Sequence, residues 1–448
     1  MLQPSDVMEW KKNLFNTDLI WKIEPSIDVV TSLMQYKIQH VSKKNKRYDN
    51  DAPKATFFAG GAFNKLYLMD YPGSSWILRA SLPVDPYYKI ASEVATLRLV
   101  ESSTSLPVPQ VDAFFDGKTD ATSGDDCLGL EWILMKRLPG KTLKDAWSET
   151  SLEQKMLVVD SLADKIYELY SCQGSRFSCI GNVYQTSGRT GIVESRMSIR
   201  SPPYTVGRIV SMPFFWEQRV SQPVERGPLL SSAEWFASRL QLVDYECSQI
   251  INSADADEDD KEDAERYKAI AERLTKHIKS FIPAQERFVL HHDDINTANV
   301  LVDLSTSALT GIVDWECVSV IPTWASRQPP RFLSIAKKYL RYKKPCVERY
   351  GKDDDGSITV LYFEHLRQWE LTLLRERFLD RMSSHKDSDW MDIYNSSAKI
   401  RDFDTAVNYC NDCLMAHRIE KWLSILESGG QYRRLFECLD HDLIDMQM

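Results

Sequence analysis

Of the 448 residues, 43% are hydrophobic, 27% charged and 11% aromatic, a balance too apolar for a disordered chain and sufficient for two or three packed units. The net charge of −9 is concentrated in residues 254–266, where eight acids face two bases, and the near-neutral remainder has no basic footprint of a nucleic-acid binder. No run approaches about 18 consecutive apolar residues, which argues against a membrane-spanning helix.

The N-terminal residues MLQPSDVMEWKK carry Asp6 and Glu9, and the first arginine is Arg47. Neither a secretory leader nor an ordinary mitochondrial presequence is expected from that pattern. Nine widely spaced cysteines suit reduced thiols in an intracellular compartment. Their one close pair, Cys410 and Cys413, lacks a second pair at zinc spacing and reads as core.

Residues 1–55 read as a helical extension, with Ile27, Val30, Leu33 and Met34 at helical spacing, ended by the basic stretch 43–47. From Thr56 the texture changes to short apolar runs between turns. ATFFAG, KLYLMD and SSWILRAS predict three strands, a helix follows near 88–100, and LPVPQVDAFFD is extended. LGLEWILMKRL then predicts a strand buried on both faces. Residues 56–138 thus form a small, mainly antiparallel sheet lobe with one inserted helix. Pro139-Gly140 marks the boundary to a larger helical lobe, residues 139–448. Within it, 143–170 is expected as helix, 172–216 as irregular chain, and 231–282 as two helices joined by the acidic run. That run lacks the Asp-x-Asp-x-Asp-Gly loop of a calcium site and reads as a solvated linker. The fold class is α+β, with two lobes.

The chemistry is densest in residues 288–316, FVLHHDDINTANVLVDLSTSALTGIVDWE. Asn299 follows Asp294 by five residues, and Asp314 follows Asn299 by fifteen. Two short apolar runs between them predict a hairpin whose ends bring Asp294, Asn299 and Asp314 together. Phosphoryl transfer needs such a set: a carboxylate to orient or accept a hydroxyl proton, and hard oxygen donors for Mg²⁺ on the nucleotide phosphates.

HHDDINTAN followed by IVDWE resembles the catalytic segment of the aminoglycoside phosphotransferase and choline kinase superfamily, which has a bilobal protein-kinase-like fold. GGAFNKLYLM, SEVATLRLV, LPVPQV, ILMKRLPGKTL and the later Pro322-x-Trp324 resemble a fungal branch of it, the altered-inheritance-of-mitochondria phosphotransferase-like proteins. The resemblance covers roughly residues 50–335. It implies ATP and Mg²⁺ as cofactors, Asp294 as catalytic base, and Asn299 and Asp314 as Mg²⁺ ligands. His292 would brace the loop and would not be a general base.

The nucleotide lobe departs from the protein-kinase pattern. Gly60, Gly61, Ala62, Phe63 and Asn64 stand where the superfamily covers the phosphates with a turn, but G-x-G-x-x-G is absent. Arg79 occupies the place of the usual phosphate-binding Lys, with Glu93 on the following helix as its partner. Met135 and Arg137 lie in the run where the resemblance puts the adenine. Asp314 is followed by Trp315-Glu316 and not Phe-Gly, and no activation loop is visible, which favours a small-molecule acceptor over a protein. Trp315, Trp324, Phe214, Phe215 and Trp216 are candidate walls for it, and aromatics beside Glu316 suit a cationic acceptor. The expected function is therefore an ATP- and Mg²⁺-dependent small-molecule kinase. The alternative is a catalytically weak, pseudokinase-like nucleotide-binding or interaction protein on the same frame, which Arg79 and the missing loop glycine favour.

Overall fold

The segment ahead of Thr56 is only partly helical. Met8–Lys12 (β1) and Thr17–Trp21 (β2) pair as an antiparallel hairpin, and Ile27–Val41 (α1) is a long helix. In β2, Thr17, Leu19 and Trp21 are partly covered while Asp18 and Ile20 face outward, an alternation too brief to stand out in the sequence. The computed structural model describes residues 3–13, 17–41, 53–118, 127–171, 177–186, 204–334, 341–352, 356–386 and 389–438. The basic stretch 43–47 lies outside them.

Five antiparallel strands build the first lobe: β3 (Thr56–Gly60), β4 (Asn64–Tyr71), β5 (Ser74–Ser81), β6 (Val111–Phe115) and β7 (Glu131–Lys136), in the order β3-β4-β5-β7-β6. Helix α2 (Tyr88–Ser103) follows β5 and packs Ile90 and Val94 against Ile133 and Met135. The opposite face, with Met69, Leu78, Trp132 and Leu134, is covered by Val30, Leu33, Met34 and Ile38 of α1. With both faces covered, β7 from Glu131 to Met135 is buried throughout.

The second lobe begins with β8 (Lys141–Thr142) and α3 (Leu152–Ser171), followed by β9 (Gly181–Gln185) and β10 (Tyr204–Gly207). The stretch expected as irregular chain therefore holds two strands. They join β11 (Phe288–His291) and β14 (Ser319–Pro322) in a four-stranded sheet, β10-β9-β14-β11. Between β11 and β14 runs the hairpin β12 (Val300–Asp303) and β13 (Ala308–Ile312), extended by β8. Helices α4 (Ser232–Ile251), α5 (Glu258–Phe281), α6 (Val360–Ser384), α7 (Ala398–Tyr409) and α8 (Ala416–Glu427) supply the bulk. Most of the acidic run is not a linker but the opening of α5. Asp257 caps it by accepting from Asp260 N (2.7 Å), and acids suit the positive end of a helix dipole. Cys410 is core, whereas Cys413 is exposed. Among the described residues, no helix is long and apolar enough to cross a membrane.

The architecture is thus α+β and protein-kinase-like, a small sheet lobe followed by a larger helical one. At their junction Gly140 adopts φ +103°, and a Cβ there would lie 2.8 Å from Val302 O and closer still to Thr310 Oγ1. Only glycine lets the connection lie this close on the β12–β13 hairpin.

Candidate active site

Two loops lie side by side because β11 and β14 pair directly: residues 292–299 leave β11, and 313–318 enter β14. Val313 N donates to Asn299 O (2.9 Å), which ties them together where the hairpin closes. His292 Nε2 donates to Val313 O (3.2 Å), and its ring packs edge-on against Trp315 at 4.9 Å. Burial pushes the His292 imidazole down to about 4, against the pull of Val313 O and Asp294. It is a neutral brace, as its motif position suggests.

Asn299 Nδ2 donates to Asp294 O (2.9 Å) and Oδ2 (3.2 Å). The Asp294 side chain is 48% exposed and stands 3.9 Å from Arg331 Nη1. Asp314 is 39% exposed and has a left-handed backbone, φ +64°, a conformation aspartate tolerates better than most residues. Asp294, Asn299 and Asp314 thus sit on two adjoining loops, as the hairpin predicts. Among the described residues no group of three or more His, Cys, Asp or Glu could hold a metal ion. Asn299 and Asp314 offer two oxygen-bearing side chains, which fits Mg²⁺ when phosphates and water complete its shell.

From the sheet lobe, Arg79 and Glu93 form a buried ion pair, and Arg79 Nη1 reaches Asp314 Oδ1 at 3.7 Å. Two further residues complete this cluster. Sequence reasoning gave Lys89 no role and Asn64 only a place in the turn. Lys89 is fully buried and binds Glu316 at 2.6 Å. Asn64 Nδ2 donates to the same Glu316 oxygen (2.8 Å), while Asn64 Oδ1 accepts from Ser81 Oγ (2.7 Å) and Lys89 Nζ (3.1 Å). The available signal was spacing: Lys89 precedes Glu93 by four on α2, so both face the same way. Burial and the neighbouring Glu316 push the Asp314 carboxyl above its ordinary range. Burial also works against charge on Glu316, but Lys89 and Arg79 hold that group below its own range.

The turn after β3 is closed by Gly61 N donating to Asn64 O (2.8 Å), and Trp21 Nε1 of the N-terminal hairpin donates to Ala62 O (3.0 Å). Gly60, Gly61 and Ala62 are exposed, and a Cβ on Gly61 would meet no atom within 4 Å. The other two turn residues point inward: Phe63 packs edge-on against Phe215 at 5.5 Å, and Asn64 joins the charge cluster. Met135 is buried with Ile90 and Val94 of α2 and Ile133 of its own strand. Arg137 is exposed, with its guanidinium 5.3 Å over the Phe58 ring and its N–H on Ser75 O (3.0 Å).

A cleft of about 520 Å³ opens next to Asp294, lined by its neighbours Asp293 and Ile295 and by Cys317, Ser319, Pro330 and Arg331. Burial, then the Asp294 charge, push the Asp293 carboxyl up to about 6. The expected aromatic walls are mostly elsewhere. Trp315, Trp324, Phe214 and Phe215 are core, and Trp216 lines a second cavity of about 620 Å³. The cleft's aromatics are Tyr170, Trp235 and Tyr409.

Known proteins match this frame. A subtelomeric hrmA-associated cluster protein of Aspergillus fumigatus is 24% identical over 327 residues, 62% of this chain and 60% of its own length. The clavilactone A biosynthesis cluster protein Y of Ampulloclitocybe clavipes is 24% identical over 274 residues, 58% of this chain and 60% of its own. The alignments therefore span about 60% of the length of these curated relatives. Among solved structures, the gentamicin complex of APH(2")-IIa is similar at 11% identity and TM-score 0.43, covering 89% of this chain and 94% of that one. ADP-bound aminoglycoside phosphotransferase APH(2'')-Ib is similar at 13% and 0.41, covering 87% and 96%. The phosphotransferase enzyme family matches residues 54–325, more than half of the chain, and the protein belongs to that family.

Proposed function

We propose that the chain moves the γ-phosphoryl group of Mg²⁺-bound ATP to a hydroxyl of a small-molecule acceptor. The observation that carries this reading is the meeting of Asp294 and Asn299 with Asp314 and the Arg79–Glu93 pair where the two lobes join. Residues 56–138 would hold the nucleotide, with Arg79 and the Gly60-Gly61-Ala62 turn facing its phosphates. Asn299 and Asp314 would hold Mg²⁺, which when bound neutralises phosphate charge. Asp294, half-exposed beside the cleft, would take the acceptor proton, while Arg331 near it orients incoming oxygen atoms. His292 holds the loop and stays neutral. One relative is named for the biosynthesis cluster of a small molecule, clavilactone A, which agrees with a small-molecule acceptor.

The test is an acceptor screen of the purified chain with Mg²⁺-ATP, using Asp294→Asn as comparison. That change keeps the shape but removes the base, so turnover should fall about 10²–10⁴-fold with ATP affinity within a few-fold. Wild-type transfer by Asp294→Asn with a verified acceptor would remove Asp294 from this role. Nucleotide binding without transfer to any acceptor would favour the pseudokinase-like reading.

A further inference from the structure

The 620 Å³ cavity does not stand apart from the cleft beside Asp294. Pro213, Arg239, Asn408 and Tyr409 line both, so the two cavities meet across these side chains. We propose that the acceptor carries an apolar arm, with its hydroxyl in the cleft beside Asp294 and the arm in this second chamber. This rests on the phosphotransferase reading and names the class of its acceptor.

The walls argue for that occupant. Met212, Trp216, Leu242, Val243, Val407 and Tyr409 make the chamber predominantly apolar. Its two arginines are already paired within the protein. Arg219 forms a two-pronged pair with Glu246 (2.5 and 2.6 Å). Arg239, only 6% exposed, binds Asp404 (2.7 Å) and Asn408 (2.8 Å) and stacks 4.1 Å over Trp235. Asp412 accepts the Leu414 and Met415 N–H groups (3.0 Å each). A polycationic acceptor would find one carboxylate in the chamber lining, Asp412, and desolvating its several charges against the apolar walls would be costly. A methylene chain or aryl group would instead bury its apolar surface against these walls. The volume is ample for such a group.

The cleft end differs. Asp293, Ser319, Gln328 and Arg331 are polar, and Asp294 adjoins them, so a hydroxylated head fits there. Arg239 is the partition: pinned by Asp404 and Asn408, it presents the same fixed edge to both halves of a ligand.

The experiment uses the full chain without nucleotide and the emission of Trp216 and Trp235, which lie in the two cavities. Pentane-, hexane- and octane-1,2-diol serve as probes with one head and a growing arm. Affinity should rise about two- to fourfold per methylene, hence roughly tenfold or more from pentane- to octane-1,2-diol. Met212→Asp, at a position 47% exposed and tolerant of change, should abolish that dependence, whereas Met212→Leu should keep it. Absence of saturable octanediol binding, affinity independent of chain length, or a length dependence that survives Met212→Asp would each overturn the proposal. Because the readout needs no ATP, a chain that binds the diols by length yet never transfers phosphate would retain the chamber and lose the phosphotransferase reading.

Discussion

Asp314 and Glu316 lie two residues apart, share the cations Arg79 and Lys89, and are pushed in opposite directions. Glu316 holds the closer cation, Lys89 at 2.6 Å, while Asp314 is left with the more distant Arg79 at 3.7 Å. Lys89→Met should therefore leave Glu316 buried without its ammonium group and cost about 3–5 kcal/mol. Adding Glu316→Gln should recover much of that, because the stranded charge is gone. A double-mutant cycle in urea measures the coupling, and additive losses would show the pair to be independent. The Asp294–Asn299–Asp314 set was legible because its spacing and hairpin are local. Lys89–Glu316 was not, since more than 200 residues separate the partners and only folding places them together. Glu131 gives a separate residue-scale prediction. Burial, reinforced by Asp116 and Asp85, pushes its carboxyl up to about 8, although Tyr87 N–H and Lys89 pull the other way. The folded state thus favours the protonated form. Stability from this group is whole below about pH 4.5, its ordinary value, and is lost progressively as pH rises through about 8. Glu131→Gln should flatten the fall in melting temperature between about pH 5 and 9, and stabilise the protein by a few kcal/mol at the alkaline end.

The β12–β13 hairpin shows what an element must supply beyond its own residues. It presents Asn299 and Asp314 side by side at its open end, yet its outer surface is covered by the chain at Leu138 and Gly140. A Cβ on Gly311 would meet Leu138 Cδ1 at 2.5 Å, so this contact is close on both sides. Gly140→Ala should destabilise by more than the ~1 kcal/mol expected for positive φ alone. Gly73→Ala is the fitting comparison, because Gly73 has φ +81° but no atom lies within 4 Å of where its Cβ would stand. Equal denaturation midpoints for the two variants would mean the junction yields. Pro139-Gly140 was readable from its residue types as a break in the chain, and it falls between β7 and β8. The strands β9 and β10 were not readable, since three or four buried residues carry no periodicity that separates strand from coil. The acid-rich start of α5 misled for a different reason: acids that look like a solvated linker are also what a helix N-terminus prefers.

Over the whole molecule, polar ties cross between the lobes at several points. Besides Lys89 and Asn64 on Glu316, Arg208 of the second lobe holds Asp85 of the first (3.0 Å), and Arg98 of α2 donates to Gln185 of β9 (3.1 Å). The N-terminal hairpin adds an aromatic tie: Trp10 packs on Trp216 at 4.8 Å, while Trp21 holds the Ala62 carbonyl. Trp21→Phe keeps most of the apolar contact and removes one hydrogen bond, so it should cost about 1 kcal/mol of stability. If the Gly60-Gly61 turn faces phosphate, ATP affinity should fall severalfold in the same variant. Calorimetry reports both, and unchanged affinity would detach the hairpin from the turn's function. The sheet-then-helix plan was visible from the change of texture, short strand-like runs first and long helical stretches after. The hairpin's place across both lobes was invisible, because its partner Trp216 lies some 200 residues downstream.

That separation has a consequence for how the protein is made. At synthesis rates of about 5–20 residues per second, roughly 10–40 s pass between the appearance of Trp10 and that of Trp216. Throughout that interval the β1–β2 hairpin has only part of its eventual cover and Trp10 remains available to other chains, whereas the Val30–Met34 stripe waits only for Met69, Leu78, Trp132 and Leu134. Folding of the sheet lobe on the ribosome is therefore incomplete until the second lobe is well under way. A vector that begins at residue 54, where the family match starts, would remove the early-exposed segment but leave Met69, Leu78 and Trp132 without the helix that covers them. Yield in the cell would then be limited by aggregation of the nascent chain rather than by catalysis-related residues.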